Sequence, residues 1–111
     1  MKPNYPPQFF VCFVSYENTG KETDFIPPNC WGASGLVAVD ADNEDELRKI
    51  LKLGFDYLQL KIVEIGDLEI VKSLEELKKT DSHLVENIKN WEPGKRWVIG
   101  TVHGYYGEGE A

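Results

Sequence analysis

The chain is poor in the residue types that most often ligate metals or serve as nucleophile and base: two cysteines, two histidines and no arrangement of them that forms a motif. Cys12 and Cys30 make neither a CxxC pair nor a disulfide framework, so both are expected to be reduced thiols in a cytoplasmic protein. Cys12 lies inside an apolar run and reads as a small core residue, whereas Cys30 sits in a loop beside Trp31 with no neighbouring histidine to activate it. His83, His103 and Asp81 would have to converge at about 2.0–2.2 Å to hold a metal, and nothing in their spacing brings them together. No metal and no cofactor is therefore expected. There is no Gly-x-Ser-x-Gly elbow, Cys-His signature or HExxH. Gly32-Ala33-Ser34-Gly35 leads into a strand, and Gly104, Gly107 and Gly109 open no helix, so neither stretch suits phosphate.

Long apolar runs are also missing. Phe9 to Val14 is too short for a secretory core or a membrane span, which gives the expectation of a soluble protein with no membrane partner. Basic residues are outnumbered, 12 Lys and Arg against 19 Asp and Glu, for a net charge of -7. Binding to nucleic acid draws on clustered Lys and Arg that release counterions, so a nucleic acid is excluded as the expected partner. The same excess of acid favours encounter with a basic protein surface.

What is present is a globular composition, 41% hydrophobic and 12% aromatic in 111 residues, enough for one domain that buries about two-thirds of its unfolded surface. FFVCFVSY, Phe9 to Tyr16, is apolar on both parities and reads as a central strand covered on both faces. A long loop, 17–34, follows. Gly35 to Asp40 is a second strand, and it enters a helix capped by Asp42, with Glu44, Asp45 and Glu46 in the first turn, a stripe of Leu47, Ile50 and Leu51, and Gly54 as the stop. In the third strand, Tyr57 to Ile65, one parity is polar at Gln59 and Lys61, which implies one solvated sheet face with the helices on the opposite side. Gly66-Asp67 fits a two-residue turn returning along Leu68 to Val71. Ser73 and Glu76 form a capping-box signature, and the helical spacing from Leu74 to Trp91 is interrupted at Thr80-Asp81-Ser82, three residues that prefer caps to helix interiors. After the turn at Glu92-Pro93-Gly94-Lys95 comes a last strand, Arg96 to His103, in which Gly100 marks a bulge or a close approach by another group.

The expected fold is α+β: an antiparallel or mixed sheet of about five strands, two helices packed on one face, in the ferredoxin-like order β-α-β-β-α-β preceded by an extra N-terminal strand. Residues 104–111 are expected to be a flexible tail. That fold supports many unrelated functions and selects none.

Aromatics outside regular periodicity mark the candidate binding residues: Trp31 at the end of the loop, Tyr57, and Tyr105 with Tyr106 beyond the last strand, together with His103 at that strand's end. They support a non-catalytic interaction or regulatory module whose partner is another protein, with charge favouring a basic one. An immunity protein that neutralises a basic toxin has this size and charge, an analogy carried by no motif. The alternative is a small-molecule binder or enzyme with a pocket under the 17–34 loop and His103 as acid or base. A homo-oligomer formed by sheet-edge pairing is the third reading.

Overall fold

The computed structural model describes residues 5–6, 8–19, 25–27 and 30–105, the last by its backbone alone. Within them lie β1 (Phe9–Asn18), β2 (Gly32–Val39), α1 (Glu44–Tyr57), β3 (Leu60–Val71), α2 (Leu74–Thr80), α3 (Ser82–Lys89) and β4 (Trp97–Tyr105). The strands form one sheet in the order β3-β1-β2-β4, and every neighbouring pair is antiparallel. The α+β class is as expected, but the described residues contain four strands rather than five, and the order is not ferredoxin-like.

The missing strand follows from a bulge. Gly66-Asp67 does not reverse the chain; Asp67 takes a left-handed conformation (φ 53°), and β3 continues along β1 with an extra residue between the Phe13–Gly66 and Val11–Glu69 pairs. A local turn signal was outweighed by continued pairing to an apolar central strand.

The helices do not share one face. Cys12, Val14 and Tyr16 of β1 join Val37 and Val39 of β2 in a core closed by Leu47, Leu51 and Phe55 of α1. The opposite parity, Phe9 and Val11 with Ala38 and Val98, packs against Leu77 of α2, Leu84, Val85 and Ile88 of α3, and Trp91. The double-sided apolar pattern of Phe9 to Tyr16 therefore describes the sheet better than the polar parity of β3, which belongs to an edge strand. Fully burying each of Leu47, Leu51 and Phe55 contributes about 1.5–3 kcal/mol, which is the main tie holding α1 to the sheet.

Helix α1 starts at Asn43, not Asp42, as its cap: the Asn43 Oδ1 accepts from the Glu46 N–H at 2.8 Å, while Glu46 reaches back to accept from the Asp42 N–H at 3.2 Å. The helix also runs past Gly54 to Tyr57, so Tyr57 is a helix-end residue rather than the start of a strand. Gly54 is a notch instead of a stop. A Cβ there would lie 2.4 Å from the Trp97 indole nitrogen, whose ring packs beside Phe55 with centroids 5.2 Å apart. Ser73 stands at the start of α2 without making a side-chain cap bond, so the capping box is not formed. The break at Thr80-Asp81-Ser82 is present, with Asp81 capping α3 through the Leu84 N–H at 3.0 Å.

Candidate functional site: the open half of the sheet

Helices α2 and α3 are short, and they cover only one end of their sheet face. At the other end the strands carry a row set by register, in which Glu64 lies opposite Ser15, Ser15 opposite Ser34, and Ser34 opposite His103. The next rows pair Phe13 with Leu36 and Glu17 with Lys61. Phe13, Ser15, Glu17, Ser34 and Leu36 are half-buried, while Lys61, Glu64, Glu69, Thr101 and His103 are exposed. The surface thus has a floor of two apolar side chains and two hydroxyls, with carboxylates on the β1 and β3 side and an imidazole on β4.

A bulge in β4 puts His103 on this face. Ile99 pairs with Val37 and Val102 with Gly35, so β4 spends one residue more than β2 between them. Simple alternation would group Thr101 and His103 with Trp97 and Ile99; after the bulge it is Val102 that joins those two on the α1 side. Asp81 holds the bulge in place by accepting from the Thr101 N–H and the Thr101 hydroxyl, both at 3.0 Å. The expectation for Gly100 is met in both senses. It lies at the bulge, and a Cβ on it would fall 2.5 Å from Asp81 Oδ2 and 2.6 Å from Leu84 Cβ.

Beside this face, β3 forms the outer edge of the sheet and exposes Val63, 53% accessible, among Glu64, Asp67 and Glu69, while the exposed Ile70, opposite Phe10, lies toward the α1 side. The described ion pairs are Arg48–Glu44, Lys52–Asp56 and Arg96–Glu46, all away from this region. Among the described residues, Glu64, Asp67 and Glu69 form no ion pair, whereas Glu17 faces Lys61 across the β1–β3 ladder. No motif flags this patch in the sequence, because its members come from β1 and β3, over forty positions apart, and meet only through pairing.

The aromatic candidates do not gather here. Trp31 is half exposed and its carbonyl accepts from the Asn18 N–H at 2.8 Å, closing the base of the loop between β1 and β2. Tyr57 is 88% exposed at the end of α1. Gly104 and Tyr105 belong to β4 rather than to a tail, paired with Ala33 and Gly32 of β2, and 106–111, with Tyr106, fall outside the described residues.

The loop is shorter than the expected 17–34, because β1 runs on to Asn18 and β2 begins at Gly32, and its described part packs down onto the α1-side core. Ile26 is buried and the Tyr16 hydroxyl donates to the Phe25 carbonyl at 2.5 Å. A concavity of about 580 Å³ lies to one side of it, bordered by Phe25, Tyr57 and Trp97, and neither Trp31 nor His103 lines it. Cys12 is enclosed in that core, where burial pushes its thiol up from 9.0 to about 12 against a smaller opposing effect of Arg48. A thiol so protected is not a nucleophile at neutral pH. Among the described residues no group of three or more His, Cys, Asp or Glu is placed to hold a metal ion, and no helix is long and apolar enough to cross a membrane.

The fold and site together define a small α+β domain with helices on both sides of an antiparallel sheet and one open, acidic end. Compared with known proteins, the chain matches no family model, no curated protein and no solved structure.

Proposed function

We propose that this protein is a non-catalytic cytoplasmic interaction module that binds a basic surface of another protein through the open half of its sheet and the adjoining β3 edge. The observation that carries the reading is the set of carboxylates without an ion-pair partner along β3, Glu64, Asp67 and Glu69, beside the apolar Phe13, Leu36 and Val63. Such a mixture supplies the two ingredients of a specific contact: apolar area to bury, and a field that speeds encounter with a partner of opposite charge. The bulges and charges of β3 oppose extension of the sheet by another strand, so the partner docks by side chains onto the face rather than by adding to this edge. A second copy of the chain is disfavoured as that partner, because it brings the same excess of acid. On size and charge the role suits an inhibitor of a basic protein, such as an immunity protein held against a toxin.

Capture from extract of the source cells, followed by purification of the recovered protein and titration at two salt concentrations, tests the proposal. Binding to a basic protein should weaken as salt rises and weaken strongly when Glu64 and Glu69 are both changed to Lys, while Asp45→Lys on α1 leaves it unchanged. Binding indifferent to the Glu64→Lys, Glu69→Lys pair would overturn the assignment to this face.

A further inference from the structure

We infer that the outer edge of β4 is a second binding site, one that takes an uncharged, extended peptide segment of another protein by strand addition. Strand β4 ends the sheet on the side away from β3. Its neighbour beyond the edge is the 580 Å³ concavity, walled on one side by Tyr57 at the end of α1 with Phe25 and Trp97, and on the other by Asn87 and Asn90 of α3. That volume lies within the range of about 300–1,000 Å³ typical of ligand sites.

The hydrogen-bonding groups on the floor of the concavity state what fits. The Asp40 N–H donates to the Arg96 carbonyl at 2.8 Å, and in an antiparallel ladder the residues that face the partner strand alternate. Val98 therefore turns its N–H and C=O toward β2, while Trp97 and Ile99 turn theirs outward into the groove. The Asn87 carboxamide already donates to the Ile99 carbonyl, so an amide N–H from outside the sheet occupies the position that a fifth strand's N–H would take. A peptide segment reproduces this bond and adds those to Trp97. An apolar side chain at alternate positions meets Tyr57 and Trp97, and a small polar one meets the asparagines.

Charge separates this site from the acidic face. Its charged lining consists of Lys95 and Glu92, which sum to zero in a chain of net charge -7, so the groove selects a segment without net charge. None of the acidic-face residues lines it, and the two sites can fail or succeed independently.

The test uses capped five-residue peptides that alternate threonine with valine, leucine, phenylalanine or tyrosine, titrated into the whole protein labelled with nitrogen-15. Saturable shifts are expected at the Trp97 and Ile99 amides and the Asn87 carboxamide, with none at Ser15, Ser34 or His103. For a peptide that binds, N-methylation of the amides of one parity should weaken it by about tenfold or more, the loss expected when edge acceptors are left unpaired, while methylation of the other parity changes little. Tyr57→Ala, a change at an exposed helix end that leaves the fold intact, should weaken binding severalfold. Three outcomes overturn the inference: no saturable shift with any of the peptides; equal tolerance of both methylation parities, which marks an apolar cleft without strand addition; or the same signals shifting with protein concentration alone as a dimer forms, which marks a second copy as the occupant.

Discussion

Replacing Asp81 with alanine should cost far more than the loss of a helix cap, because one carboxylate makes three hydrogen bonds and ties the start of α3 to β4. Its Oδ1 caps α3 through the Leu84 N–H and accepts from the Thr101 hydroxyl, and its Oδ2 accepts from the Thr101 N–H, each at 3.0 Å. Loss of an N-cap costs about 1 kcal/mol. Hydrogen bonds to a charged group contribute about 1.5–3 kcal/mol each, taken at the low end here because Asp81 is partly exposed. The sum is about 3 kcal/mol, allowing for the overlap of bonds that share one side chain. In a chain of this length that lowers the melting temperature by roughly 12 °C, at about 4 °C per kcal/mol. Asp81→Asn keeps the cap and the Thr101 hydroxyl bond on its oxygen but turns its NH2 toward the Thr101 N–H, so it should lose about half as much. Urea unfolding gives the stabilities, and hydrogen exchange at the Thr101 amide reports the bulge directly: protected in the parent, open in Asp81→Ala. A loss under about 1 kcal/mol, no more than a cap supplies, or a Thr101 amide that exchanges freely in the parent, would refute the reasoning.

Gly54→Ala should destabilise even though alanine is the better helix former by about 1 kcal/mol, because its Cβ displaces the Trp97 ring from its notch at a cost of about 1–3 kcal/mol. A more stable variant with an unmoved Trp97 indole signal in NMR would show that no notch exists. Cys12 should stay inert to a disulfide reagent at neutral pH until the protein unfolds. Since its folded value is raised from 9.0 to about 12, the unfolded chain releases the proton first and stability should fall between those limits, by up to about 1.4 kcal/mol per pH unit. The same titration in Cys12→Ala should lack that component, and a parallel decline in both proteins would remove it.

Much of the architecture is local and therefore legible. The acidic first turn and apolar stripe of α1, the break before α3 at three cap-forming residues, and the double-sided strand at Phe9 to Tyr16 each follow from side chains within a few positions of one another. Signals that depended on the far side of the sheet misled. Gly54 looked like a helix stop and is space for Trp97, forty-three positions later. Gly66-Asp67 looked like a turn and is a bulge beside Phe13.

The candidate site shows the same division. His103 could be marked from sequence as a strand-end imidazole, but its face was set by the bulge at Gly100 and Thr101, and that bulge by Asp81 in another element. By itself the sequence determined composition, charge and most helices and strands, because propensity, capping and periodicity act over a few residues. The tertiary structure alone decided which face each helix covers, which carboxylates are left together, and which strand edge stays open, because those depend on pairing between segments that the chain holds far apart.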